Sequence, residues 1–182
     1  MARRTRQKPR PALGEEQLRE LALTYVGRFA TTRAKLASYL ARKVRERGWA
    51  GERPADIEAI VERLAELGYV DDAAFALSKS RSLTARGYGG RRVRQSLRAA
   101  GITEDDAGPA NALARAEAVE AALHFARRRR LGPFGEGSSD RQAQEKALAA
   151  MIRAGHGFSL SKAILALEPG TKVNIEMLEE KA

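Results

Sequence analysis

Between Gly68 and Ala76 the chain reads Gly-Tyr-Val-Asp-Asp-Ala-Ala-Phe-Ala, a helix stop followed within three residues by a helix start. Gly68 closes the apolar series Ile57, Ile60, Val61, Leu64 and Leu67, and glycine takes the left-handed conformation of a helix C-terminus without steric cost. Asp71 then offers a carboxylate to the unpaired N–H groups of the next helix, with Val70 and Phe75 at the spacing of a hydrophobic staple. So short a joint sets the angle between its two helices, and Tyr69 and Phe75 are expected to fill the corner. Asp71 and Asp72, as sequence neighbours, do not face one another on a helix; they make a poor catalytic or metal pair and read as structural.

Helical periodicity extends in both directions from this joint. Leu18, Leu21, Ala22, Tyr25 and Phe29 share one face of a first helix that opens on Glu15 and Glu16. Thr31 or Thr32 can cap a second, with Leu36, Tyr39, Leu40 and Val44 inward and a stop at Gly48; Pro54 and Asp56 open a third that runs to Gly68. A fourth is expected from Asp71 to about Arg86. The turn Gly87-Tyr88-Gly89-Gly90 leads to a fifth, which buries Val93 and Leu97 and stops at Gly101. The helix starting at Thr103 is expected to be short or bent, because Asp105-Asp106-Ala107-Gly108-Pro109 breaks the apolar period and proline disfavours a helical residue before it. A long helix then carries Ala112, Ala116, Val119, Leu123 and Ala126 and ends in Arg127 to Arg130. After a Gly/Pro/Ser loop from Gly132 to Ser139, two more helices are marked by Ala147 and Met151 and by Leu160, Ala163, Ile164 and Leu167. Val173, Ile175 and Met177 alternate like a strand with no partner, so this end of the sequence reads as a tail.

Three segments share a spacing: Leu40-x3-Val44-x3-Gly48, Val93-x3-Leu97-x3-Gly101 and Ala147-x3-Met151-x3-Gly155. If Leu36 rather than Leu40 matches Val93, the first copy has one extra helical turn. Units of three helices have little core of their own, so they are expected to stack into a one-dimensional array. The expectation is an all-α protein of about nine helices in tandem three-helix repeats, forming an elongated, curved array. Its parts are a disordered basic arm (1–14), repeats over 15–70, 71–110 and 111–168, and a tail (169–182).

The joint, with Arg86-Gly87-Tyr88-Gly89 and Leu97-Arg98-Ala99-Ala100-Gly101-Ile102, resembles the central signature of the RecX family, bacterial regulators of the RecA recombinase. The likeness extends over nearly all of residues 15–168. Gly68, Tyr69, Asp71, Asp72, Phe75 and Gly101 carry its structural signature. Three tandem three-helix repeats are what the resemblance implies for the fold. For function it implies a non-catalytic protein that lies along the RecA–DNA filament and restrains its ATP hydrolysis, extension and strand exchange, modulating recombination, DNA repair and the SOS response.

Composition limits the alternatives. Of 182 residues 43% are hydrophobic but only 5% aromatic, so the apolar surface is mostly alanine and leucine, suited to closely packed helices. With no cysteine there is neither a disulfide framework nor a thiolate metal site, which agrees with a reducing cytosol. Residues 1–12 carry five positive charges and no apolar stretch, unlike a secretory signal, and no later segment resembles a membrane span. A soluble cytoplasmic monomer is expected. His124, one turn after Glu120, and His156, in Gly-His-Gly, have no nucleophile or ligand beside them; no phosphate-binding loop or nucleophile elbow occurs. No enzyme activity, metal or other cofactor is expected.

Charge supplies the functional signal. Lysine and arginine number 33 against 23 acids, a net +10 that points to a polyanion or an acidic protein surface as partner. From Ala73 to Thr103 there is no acid, while Lys79, Arg81, Arg86, Arg91, Arg92, Arg94 and Arg98 are basic. With Val93 and Leu97 inward, Arg91, Arg94 and Arg98 are expected to face outward, and guanidinium forks suit phosphate and carboxylate alike. Arg127, Arg128, Arg129 and Arg130 form a second concentration, although a run of four winds around its helix and a helix C-terminus favours cations in any case. These residues are the candidate contacts to RecA or to single- or double-stranded DNA. The competing reading is a helix-turn-helix-like DNA-binding module that acts without RecA; an array of repeats suits a filament groove better than one major groove, and no dimer seam provides two half-sites.

Overall fold

The computed structural model describes residues 11–137 and 140–182, and among them it contains ten α-helices, one 3-10 turn and a single isolated β-bridge. The chain forms two compact units, Met1–Asp72 and Ala73–Ala182.

In the first unit α1 (Glu15–Val26), α2 (Arg33–Arg47) and α3 (Ile57–Glu66) enclose Leu18, Ala22, Leu36, Leu40, Val61, Leu64 and Val70. Each start has a local cause. Gln17 accepts from the Gly14 N–H, Thr32 Oγ1 from the Lys35 N–H at 3.2 Å, and Asp56 Oδ1 from the Ala59 N–H at 3.0 Å. Helix α1 ends at Val26, with Gly27 as its C-cap and the Arg28 N–H tightening the last turn onto the Tyr25 carbonyl. Phe29 therefore leaves the buried face on which its spacing placed it. Residues 1–10 of the expected arm lie outside the described residues, but the fold already begins within its last four. Leu13 is fully buried, donates its N–H to the Gly48 carbonyl and accepts from the Ala50 N–H, both at 2.9 Å.

The second unit has two apolar clusters. Helices α4 (Asp72–Ala85), α5 (Gly90–Ala99) and α6 (Glu104–Ala116) enclose Ala76, Leu83, Val93, Leu97, Ala107, Ala110 and Ala114. Helices α7 (Ala118–Arg129), α8 (Arg141–Arg153), α9 (Phe158–Leu165) and α10 (Ile175–Glu179) enclose Val119, Ala122, Phe125, Met151, Leu160, Ile164 and Leu178. Thus the described helices follow one another as tandem three-helix repeats, with α10 added to the last.

Three local expectations are corrected. Helix α6 is not short: it runs for 13 residues and continues through Pro109. The proline ring faces solvent and Gly108 offers it no Cβ to strike, while Thr103 caps the helix and three acids occupy its first turn. Buried Ser80 also donates its hydroxyl to the Ala110 carbonyl at 2.8 Å, tying α6 to α4 beyond the proline. Secondly, the long helix through Ala112 and Ala126 is two helices divided at Glu117. The division lets Ala107, Ala110 and Ala114 on α6 pack into one cluster and Val119, Ala122 and Phe125 on α7 into the other. Thirdly, the apparent strand after Val173 is α10, capped by Asn174; Leu178 is fully buried while Ile175 and Met177 remain exposed.

The three repeat glycines, Gly48, Gly101 and Gly155, all have φ between +75° and +98°. Leu36 and Leu40 are buried as Val93 and Leu97 are, so the longer α2 accommodates the extra turn ahead of Gly48.

Candidate functional site

The α4–α5 turn is built from glycines that admit other backbone. A Cβ on Gly87 would stand 3.0 Å from the Phe125 nitrogen, and one on Gly89 would stand 2.4 Å from the Gly155 carbonyl oxygen. The Gly89 and Arg91 N–H groups donate to the Ala154 and Gly155 carbonyls at 3.0 and 3.1 Å. The negative C-terminus of α8 therefore caps the positive N-terminus of α5, which offsets the poor placement of Arg91 and Arg92 in that first turn. Beside this seam the buried His156 ring lies 5.5 Å from Phe125 and donates from Nε2 to the Gly87 carbonyl at 3.1 Å. A carbonyl can only accept, so Nε2 carries the proton. Burial pushes this imidazole below its ordinary value of 6.5, opposed in part by the Gly87 carbonyl. His156 gave no functional signal in the sequence; the only hint of its structural role was its place between two glycines after a helix stop.

This seam holds α5 as a platform. Val93 and Leu97 are buried, and Arg91, Arg92, Arg94 and Arg98 are all exposed. Two of the four have partners: Arg92 donates to Gln95 at 2.9 Å, and Arg98 meets Glu104 at 3.2 Å across open solvent. The carboxylate of Glu104 stands just beyond the acid-free stretch, so Arg98 is less available than its spacing implied. An exposed pair of this kind contributes little stability and can exchange for another anion.

Lys79 and Arg81 are exposed on α4, and the Arg86 guanidinium lies 5.3 Å from the centre of the Tyr88 ring. Gly87 rests on the backbone of Phe125, while Arg128 and Arg129 each lie 5.8 Å from that ring. The structure thus brings Arg86 and the α7 arginines to one junction. Arg127 lies 4.8 Å from the Phe134 ring, and Arg130 ends α7 at φ +53°, a conformation usually given to glycine. The run fans outward as winding predicts, with aromatic rings orienting three of its members.

The signature residues divide by role. Gly68 and Gly101 have φ of +76° and +75°. Helix α4 starts immediately after Asp71. Asp72 is buried, and its carboxylate accepts the Arg33 N–H at 2.9 Å, so it completes the cap of α2, an element 39 residues earlier. Nothing local in the sequence could reveal that partner. Tyr69 is 58% exposed and does not fill the corner; Phe75 packs, half-buried, against the first cluster of the second unit. Val70 belongs to the first unit's core, so the expected staple pair is divided between two cores.

Among the described residues no group of three histidine, cysteine or acidic side chains could hold a metal, and no helix is long and apolar enough to cross a membrane. The described residues define a helical-repeat protein with exposed arginine clusters.

Comparison with known proteins places this class. Residues 71–110 match the family model described as RecX, second three-helix domain. A regulatory protein RecX from Myxococcus xanthus is 36% identical over 160 residues, covering 84% of this chain and 86% of the relative. One from Xanthomonas campestris is 37% identical over 117 residues, covering 64% and 68%. The crystal structure of RecX from Lactobacillus salivarius superposes with a TM-score of 0.60 at 21% identity, covering 82% of this chain and 92% of that one. The chain belongs to the RecX family, whose named relatives are regulatory proteins.

Proposed function

We propose that the protein is a non-catalytic regulator that binds RecA and the RecA–DNA filament, inhibits its ATPase, extension and strand exchange, and so modulates recombination and the SOS response. The observation that carries this reading is the acid-free stretch from Ala73 to Thr103, whose seven cations are all exposed, four of them on a helix anchored at its N-terminus by α8. A rigid basic helix meets a regular anionic or acidic surface without an ordering cost at the moment of binding. Lys79, Arg81, Arg86, Arg91, Arg92, Arg94 and Arg98 form the first contact set, and Arg127 to Arg130 the second. In this reading the protein works as a cytoplasmic monomer of three repeats, the second running through the end of α6 at Ala116 and the last including α10.

The test is RecA ATPase on single-stranded DNA, titrated with the protein from far below equimolar. Inhibition is expected, and inhibition at low ratios identifies capping of filament ends. The combined variant Arg91→Gln, Arg94→Gln and Arg98→Gln keeps helix propensity and should fold normally, yet inhibit less. If the arginines meet phosphate, the log–log salt dependence of filament binding becomes shallower by nearly one unit per lost contact. Undiminished inhibition by a stable triple variant rejects this face. Absence of inhibition by the unmodified chain, with DNA binding indifferent to RecA, favours the independent DNA-binding module.

A further inference from the structure

A second acid-free stretch runs from Leu21 to Arg45, and it contains Arg28, Arg33, Lys35, Arg42, Lys43 and Arg45 together with Tyr25, Phe29 and Tyr39. The structure gathers the three rings into a column within the first unit. Tyr25 stacks on Tyr39 with centres 4.2 Å apart, and Phe29 follows Tyr25 at 5.3 Å. At the Tyr39 end, the Arg42 and Lys43 charges lie 5.5 and 5.8 Å from the ring centre, each held by Glu46 at 2.8 Å. The other end is open: Phe29 is 56% exposed, although its N–H bond to the Tyr25 carbonyl holds its backbone in place.

Phe29 is absent from the buried cluster of its unit, and no apolar cluster encloses it. Its sequence neighbour Arg28 is exposed, as is Arg45, and neither has a carboxylate paired to it among the described residues. A site for an apolar protein segment would surround the ring with apolar side chains. Here the exposed Arg28 adjoins the ring in sequence, and Arg42 and Lys43 stand over the Tyr39 end of the column, both shared with Glu46. An exposed aromatic ring at the end of a ring column that carries cations at its other end matches an unpaired nucleobase, whose ring stacks while its phosphates meet charges along the column; in a duplex that base face is already covered.

We propose that the Phe29–Tyr25–Tyr39 column is a stacking site for single-stranded nucleic acid. Phe29 receives the base, and the basic side chains of α2 and the α1–α2 turn hold the backbone. The site belongs to the first unit and engages the strand directly, so it does not depend on the regulation of RecA proposed above.

The full chain is tested without RecA, by fluorescence anisotropy with a labelled thymidine homo-oligonucleotide. Phe29→Ala should weaken binding about 5- to 160-fold, the effect of losing one stacked base. The salt dependence should stay unchanged because no charge is removed. Phe29→Trp should bind as well as the unmodified chain, and oligonucleotide should quench its emission beyond any change in Trp49. An unlabelled duplex of equal length should compete poorly. Wild-type affinity in a folded Phe29→Ala variant overturns the proposal, as does loss of affinity in a folded Phe29→Trp variant. Unchanged oligonucleotide affinity in Phe29→Ala, combined with lost inhibition of RecA ATPase, also overturns it and assigns Phe29 to a protein contact.

Discussion

Gly68 and Gly87 turn the chain through nearly the same left-handed conformation, at φ +76° and +79°, but their surroundings differ. Around Gly68 a Cβ would meet nothing within 4 Å; the corner is held by its own backbone, with the Gly68 and Tyr69 N–H groups donating to the Ala65 and Leu64 carbonyls. Gly87 and Gly89 instead admit the backbone of Phe125 on α7 and of Gly155 in the turn after α8, both distant in sequence. The first corner needs glycine for conformation alone, the second also for contact. A corner of the first kind is readable from a few residues, whereas one of the second kind exists only when the partner backbone arrives.

The largest expected effect tests that contrast directly. Gly89→Ala should destabilise the second unit by about 3 kcal/mol or more, because the new methyl meets a carbonyl rather than a movable side chain. Gly68→Ala should cost about 1–2 kcal/mol, the strain of a left-handed non-glycine residue. Chemical denaturation showing equal losses would remove the distinction between the corners.

Phe75→Ala comes next. Full burial would imply about 3–5 kcal/mol, but the ring is half-buried, and a loss of about 2 kcal/mol is expected from the apolar area it covers. No measurable loss would show that the ring serves a partner instead. The adjacent acids sharpen the comparison further. Asp72→Ala leaves the Arg33 N–H without its carboxylate and should cost about 1–3 kcal/mol, while Asp71→Ala should cost about 0.5–2 kcal/mol through the start of α4. The reverse order would mean that the local cap outweighs the distant one.

The smallest effect is the pH dependence of the Gly87 corner. The folded state holds His156 neutral, below its ordinary value of 6.5, so the unfolded chain binds the additional proton as pH falls through that value. Stability from this group is therefore complete above about pH 6.5 and declines on acidification, by at most about 1.4 kcal/mol per pH unit. Denaturation midpoints measured from pH 7.5 to 5.5 should show the decline in the unmodified chain and a weaker one in His156→Gln. A parallel decline in both would assign the effect to other groups.

Much of this fold was legible because its signals are short-range. Thr32, Asp56, Gly48, Gly68, Gly101 and Gly155 start or stop helices through bonds to residues a few positions away. The inward Val93 and Leu97 with outward Arg91, Arg94 and Arg98 follow from helical period alone. The errors occurred where period competed with a distant partner: Pro109 lies within a helix tied to α4 by Ser80, Val173 to Met177 form no strand because Leu178 docks on the last cluster, and Glu117 separates helices that serve different cores. Arg98 faces outward as its period implies, and only the structure shows that Glu104, just beyond the acid-free stretch, pairs with it across solvent.

The sequence by itself determined an all-α chain of tandem helices, the glycines and caps that divide it, its excess of positive charge and, through its spaced motifs, a resemblance to RecX. Tertiary structure decided that Asp72 caps α2, that α8 caps α5, that His156 is buried against Gly87 and that Phe29 stands at the open end of an aromatic column. Helix starts, stops and faces depend on bonds and angles within a few residues, but the partner of a buried polar group and the exposure of a ring depend on which surfaces meet after the chain has folded.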